Sequence, residues 1–383
     1  VPESDPAGPQ RDVVAAVLGV APGAVEGLTV RQVLRRASGR ELTTWTCTVG
    51  GKQAEVVTVV GDGGPRRGLH VAQLPDGRPV AAFRPVDDPR LPGLAVAMEP
   101  ARLAALLGSG VGSVRRRRYR PLGRAVVEAS TSAGPVWVKV LRPDRVAEVA
   151  ALHEAVAAVA PGPPVLARDD ERGLLVLGHL AGTPLRTLVR RAPHELPDAR
   201  AVVELSQALA AVPVTRPSPR TAPLVAVPRH VARLRAILPD AAEQLADVAG
   251  RIEAAAGGGD AGPTVTIHGD LHSAQVLAAD GRLTGVLDLD DVGGGTQADD
   301  LGRFLGHLDC TVAGVAPSPA QAWAAQLDRL VRTQVPASVL APRVAAVVLG
   351  LATGPHRVHR PGWQERSLER VRLAGTWLDV ARW

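Results

Sequence analysis

The stretch "TIHGDLHSAQVLAADGRLTGVLDLDD", Thr266–Asp291, sets two histidines and five aspartates in an otherwise largely apolar run. Two short apolar segments flank Asp280-Gly281, the pattern of a two-residue hairpin loop with positive φ at both turn positions. With Ala279 paired to Arg282, Gln275 falls opposite Val286 and Asp288 lies one diagonal step away on the same face. The hairpin is therefore expected to bring Gln275 and Asp288 together. Asp270 sits on the loop entering the first strand.

An amide oxygen beside a carboxylate is a pair of hard ligands suited to magnesium, whose other positions go to water or phosphate. A separate carboxylate nearby can take a proton. Phosphoryl transfer from ATP needs those parts together with a lysine that reaches the phosphates from a strand. Of the 44 basic residues only Lys52 and Lys139 are lysines, and Lys139 lies inside the apolar run "PVWVKVL". Alternation puts Val136, Val138 and Val140 on one face of that strand and Trp137, Lys139 and Leu141 on the other. Asp270, Gln275, Asp288 and Lys139 thus form the candidate set.

Composition narrows the alternatives. Apolar residues make up 46% of the 383-residue chain but aromatics only 2%, so Ala, Val and Leu must build cores large enough for two or three compact units. Cys47 and Cys310 are far apart in sequence and form neither a disulfide framework nor a metal-ligand spacing, which favours a reducing cytoplasm. No apolar run reaches the ~18 residues of a spanning helix, and "VPESDPAGPQ" has no signal-peptide pattern, so neither secretion nor a membrane partner is expected. The net charge of +6 and the run "RRRRYR", Arg115–Arg120, raise the question of nucleic acid. With aromatic stacking partners nearly absent, the run reads as a solvated strand edge, and no nucleic-acid partner is expected.

Along the chain, residues 1–108 read as a helix and β-hairpins turning at Gly50-Gly51 and Asp76-Gly77, followed by a short helix. Residues 109–185 repeat the β-rich pattern: Arg36-x-x-Gly39-Arg40 echoes Arg120-x-x-Gly123-Arg124, with Glu55 placed where Lys139 stands. A helix near 144–160 and a further hairpin complete that segment. Residues 186–383 carry apolar residues at helical spacing on either side of the aspartate-rich stretch. The fold class is α+β.

The run "IHGDLHSAQVL" followed by "VLDLDD" resembles the catalytic loop and metal-binding segment of the aminoglycoside phosphotransferase superfamily. Its "HGDLH" and the glutamine at 275, where asparagine is usual, are similar to maltokinases. The resemblance implies a bilobal protein-kinase-like fold, with a β-rich N-lobe (109–185), a helical C-lobe (186–383) and an N-terminal α/β cap (1–108). It implies an ATP- and magnesium-dependent kinase acting on a hydroxyl of a sugar-like or aminoglycoside-like small molecule. Asp270 would be the catalytic aspartate, Gln275 and Asp288 the metal ligands, and Lys139 the phosphate-binding lysine, with Glu154 or Glu148 as its partner. Gly178 and Leu180 would offer main-chain groups to adenine, and Asp300 would brace the catalytic loop. No clear glycine-rich loop precedes Lys139, and the residues after Asp288 do not follow the maltokinase pattern.

Three alternatives stand beside this reading. One is a maltokinase- or aminosugar-kinase-like enzyme of carbon metabolism, and another a nucleotide-binding scaffold without turnover. The third is a zinc or iron site built from His268, Asp270 and His272. Oligomeric state is left open.

Overall fold

The structure, a computed structural model, describes residues 8–35, 40–61, 69–74, 77–313, 318–358 and 360–380. The chain divides into two compact units, Val1–Ala150 with Val165–His179, and Ala151–Pro164 with Leu180–Trp383.

The first unit contains two five-stranded antiparallel sheets. β1 (Glu26–Arg35), β2 (Glu41–Val49), β3 (Lys52–Val60), β4 (His70–Gln73) and β5 (Pro79–Phe83) lie in the order β1-β2-β3-β5-β4. β6 (Val111–Arg120), β7 (Arg124–Thr131), β8 (Gly134–Val140), β9 (Val165–Asp169) and β10 (Leu174–Gly178) lie in the order β6-β7-β8-β10-β9. The echo read in the sequence therefore extends to strand order. Its residue match is corrected by register. Val49 pairs with Lys52 at one turn and Thr131 with Gly134 at the other, so Val57, and not Glu55, stands where Lys139 stands. Both matches point to the same face because they differ by two residues. Arg36, Gly39 and Asp76 lie outside the described residues.

The second sheet is covered on both faces, which is why β8 is apolar throughout. Val138 and Val140 pack with Leu94 and Leu103 from the helices Gly93–Ala97 and Pro100–Leu107. On the other face Trp137, Leu141, Leu175 and Leu177 pack with Val146, Val149 and Ala150 of the helix Val146–Ala157. Lys139 belongs to this second face. The arginine run forms edge strand β6, where Arg116 pairs with Glu55 and Arg117 with Glu128.

The second unit is mainly helical. Its core joins the buried helix Ala337–Leu351 to the helices Gln297–Val312, Trp363–Val380 and Ala242–Ala256. Arg343 on that helix is buried and is neutralised by Asp299 at 3.0 Å. Contrary to the sequence expectation, the run Ala337–Arg357 is long and apolar enough to cross a membrane by length and composition. Pro342 and Arg343 interrupt the apolar run but not the helix, and 67% of its 18-residue apolar window is buried inside the protein.

Short strands insert into this helical unit. β11 (Thr183–Pro184), β12 (Val265–Ile267), β13 (Val276–Ala279), β14 (Arg282–Val286) and β15 (Gly293–Gly295) form a sheet β11-β13-β14 and a pair β12-β15. They carry the aspartate-rich stretch.

Candidate active site

The hairpin forms at the expected turn. Asp280 and Gly281 have φ of 51° and 69°, and Ala279 pairs with Arg282. A bulge between Leu277 and Ala278 then shifts the register by one residue. Val286 therefore pairs with Val276, and Gln275 faces Leu287, whose N–H donates to the Gln275 carbonyl at 2.7 Å. The shift brings Gln275 and Asp288 close: the amide Nε2 donates to Asp288 Oδ2 at 3.4 Å. Asp288 itself is left-handed, at φ 59°, a conformation uncommon for a residue with a side chain.

The entering loop is held through main-chain bonds. Asp300, buried in the first turn of the helix Gln297–Val312, accepts the N–H groups of His268 at 2.6 Å and Gly269 at 2.9 Å. Thr296 caps that helix by accepting the Asp299 N–H at 3.3 Å. The brace implied for Asp300 is thus present. His268 is buried and acts as an anchor: its Nδ1 accepts the Asp270 N–H at 3.2 Å, which makes Nε2 the donor to Leu287 O at 2.8 Å. With both ring nitrogens engaged, His268 is not free to ligate zinc or iron. His272 stacks on His307, ring centroids 4.5 Å apart. Among the described residues no cluster of three His, Cys, Asp or Glu side chains is arranged to hold a metal.

Electrostatics set this place apart. Burial pushes the Asp291 carboxyl upward; Arg220 opposes that rise, and repulsion from Asp270, Asp288 and Asp290 adds to it. Carboxylates that repel one another gain by sharing a divalent cation, so the donor set at Gln275 and Asp288 fits magnesium. Burial lowers the pKa of His272 and of His307, with nearby arginines lowering both further.

Arg220 was not evident from the sequence. Its Nη2 lies 2.5 Å from Asp270 Oδ1, and its Nη1 lies 3.4 Å from Asp291 Oδ2. The segment carrying it runs along β15. Gly294 donates to Arg216 O at 2.7 Å, and Ser218 N donates to Gly294 O at 3.0 Å. A Cβ on Gly293 would come within 2.7 Å of Ser218 N, so the glycines after Asp288 admit this segment. Gly293 and Gly294 are thus required by the close approach of this segment.

Asp270, Gln275 and Asp288 are brought together in the second unit. Lys139 lies in the first, on β8, 9% exposed and paired in register with Leu175. Glu148 is in the first unit and ion-pairs with Arg145 at 2.7 Å, whereas Glu154 falls in the second unit and is exposed. Gly178 ends β10, and the next residue, His179, accepts the Trp137 Nε1–H at 3.2 Å. Leu180 packs over Gly285, where a Cβ would meet it at 2.5 Å.

A braced aspartate loop followed by a hairpin that sets Gln275 beside Asp288 is the site of this α+β fold, whose class is that of the kinase-like phosphotransferases. The family model for the phosphotransferase enzyme family, APH, matches residues 117–340, more than half of the chain, and the chain belongs to that family. Among solved structures it is similar to spectinomycin phosphotransferase APH(9)-Ia in complex with ADP and spectinomycin (10% identity, TM-score 0.51, covering 73% of this chain and 97% of that one). It is also similar to aminoglycoside phosphotransferase APH(4)-Ia in complex with AMP-PNP and hygromycin B (18%, 0.50, 70% and 96%). A third is the GDP complex of aminoglycoside 2'-phosphotransferase-IIIa (14%, 0.50, 72% and 98%). At these identities the likeness is one of fold. No curated protein matches the sequence.

Proposed function

We propose that the protein is an ATP- and magnesium-dependent kinase that transfers the γ-phosphoryl group to a hydroxyl of a small molecule of the sugar-like or aminoglycoside-like kind. The observation that carries this reading is the grouping of Gln275 and Asp288, 3.4 Å apart, on a hairpin that follows the Asp270 loop. Asp270 accepts the proton of the attacking hydroxyl, its oxygen bonds to the γ-phosphorus, and the bond to the β-phosphate oxygen breaks to release ADP. Gln275 and Asp288 would hold magnesium, which when bound neutralises the phosphate charge. Lys139 takes the nucleotide phosphates, with Glu154 or Glu148 as its partner, and the main chain at Gly178 and Leu180 receives adenine. The ADP, AMP-PNP and GDP in the three complexes support a purine nucleoside triphosphate as donor.

The test is ADP release from the purified chain with magnesium-ATP across sugars, amino sugars and aminoglycosides, with Asp270→Asn as the blank. Transfer should fall by about 10²–10⁴-fold in that variant while nucleotide binding is kept. Transfer at the unaltered rate in Asp270→Asn would sink the assignment.

A further inference from the structure

The surroundings of Asp270 bear on what the acceptor can be. Arg220 Nη2 lies 2.5 Å from Asp270 Oδ1, on the carboxylate that must receive the acceptor's proton. Its segment is fixed by Arg216, which donates to Asp290 O at 2.8 Å and Val292 O at 3.2 Å, and by Ser218, which donates to Asp291 O at 2.8 Å. The next residue, Thr221, accepts from half-buried Arg303 at 2.7 Å. Arg220 is therefore presented to the site from a main chain bonded on both sides.

Arg186 approaches from another direction. Its main-chain N–H donates to Ser273 O at 2.8 Å, inside the catalytic loop, and its side chain is exposed beside that loop. One helical turn further, burial lowers the pKa of Arg190, and Arg186, Arg360 and Arg370 lower it further. Arg220 spans Asp270 at 2.5 Å and Asp291 at 3.4 Å, so its guanidinium is held beside the carboxylate that takes the proton, where an anionic group on the acceptor can meet it. Arg220 must also leave Asp270 before that oxygen can take a proton, and a departing guanidinium is stabilised by a second anion to receive it.

We propose that the acceptor carries a carboxylate or phosphate in addition to the hydroxyl that is phosphorylated, and that Arg220 and Arg186 bind this anion. The proposal rests on the kinase reading above and selects an anionic, sugar-like acceptor over a polycationic one. Arg220 releases the Asp270 oxygen as the anion arrives, which couples acceptor binding to exposure of the base.

The experiment measures ADP release by the full chain with magnesium-ATP and four acceptor arms: gluconate and glycerate, glucose 6-phosphate, neutral glucose and maltose, and cationic kanamycin and choline. Transfer is expected in a carboxylate or phosphate arm, and which of the two responds identifies the anion. Arg220→Gln should raise KM for that acceptor by about tenfold, with KM for ATP unchanged, and Arg220→Lys should recover most of the loss. Faster transfer to a neutral or cationic acceptor would overturn the proposal, as would an Arg220→Gln effect confined to KM for ATP. Thermal melting with gluconate and glucose 6-phosphate reads the arginine site without turnover. A rise in Tm that Arg186→Gln abolishes supports the anion site, and no rise overturns it. Absence of transfer in every arm with that rise retained counts against the kinase reading alone.

Discussion

Asp300 grips the main chain at His268, its Oδ2 accepting the His268 N–H at 2.6 Å while Oδ1 takes the Gly269 N–H at 2.9 Å. The carboxyl is buried, burial pushes its pKa upward, and the two N–H groups partly offset that rise. Asp300→Ala would strand both donors in the interior, at about 1–3 kcal/mol for each. Urea denaturation should show a loss of about 2–5 kcal/mol, and phosphoryl transfer should fall with it. Asp300→Asn, which keeps one acceptor oxygen, should cost less than Ala. Equal stability of wild type and Asp300→Ala would remove the brace from the argument.

Gly269 cannot be replaced without moving the loop. Its φ is +81°, and a Cβ there would lie 2.4 Å from Asp291 O and 2.6 Å from Ser218 Oγ. Gly269→Ala should therefore displace Asp270 relative to Asp291 and lower kcat by about a hundredfold, since misplacement by about 1 Å costs that much. Ser218→Ala in the same chain relieves the side-chain contact but not the backbone one, so it should restore little. Full activity in Gly269→Ala would contradict the geometry.

The hairpin was legible because Asp280-Gly281 states a turn chemistry and the alternation around it states a face. The bulge between Leu277 and Ala278 was not, because it depends on how β13 meets β11 and β14 rather than on local composition. Lys139 could be placed on a strand face because the valines at 136, 138 and 140 alternate with it. Which helix residue serves it could not be read, since Glu148 and Glu154 both occur in one helix. Arg220 escaped notice for a different reason. Its contact with Asp270 spans 50 residues, and the clue was the glycines after Asp288, of which Gly293 and Gly294 lack side chains where "RPSPR" passes. The helix that begins at Ala337 was not read as long and apolar enough to span, because Pro342 and Arg343 break its apolar run, yet a buried core helix reaches the same length and apolarity.

Gln275 and Asp288 should act as a pair in the magnesium response. Asp288→Ala removes a carboxylate and should abolish activity together with the dependence of nucleotide affinity on magnesium, measured by calorimetry with and without the metal. Gln275→Leu, similar in size but without an oxygen, should raise the magnesium concentration needed for half-maximal rate by about tenfold or more, because one of few protein ligands is lost. Gln275→Asn tests reach: if the bulged register sets the spacing, the shorter side chain should bind magnesium more weakly than glutamine does. An unchanged magnesium titration in both Asp288→Ala and Gln275→Leu would exclude these residues as ligands.

Acid should weaken the helical unit through its histidines. His230 lies against Gly350 on the buried helix, where a Cβ would come within 2.8 Å of Nε2, and its pKa is lowered to about 4 by burial and by Arg229, Arg233 and Arg303. The unfolded chain takes up this proton near pH 6.5 and the folded chain only near pH 4. Its contribution is therefore fully present above pH 6.5 and is lost as pH falls toward about 4, the window set by those two values. His307, lowered well below its usual value chiefly by burial, acts in the same direction. With allowance for partial exposure, His230 accounts for about 2 kcal/mol of that loss. Urea denaturation at pH 7.5 and at pH 4.5 should show a smaller difference in His230→Gln than in wild type, while the His307 contribution persists. An identical difference in the two proteins would show that His230 takes up its proton equally easily in the folded and unfolded chains.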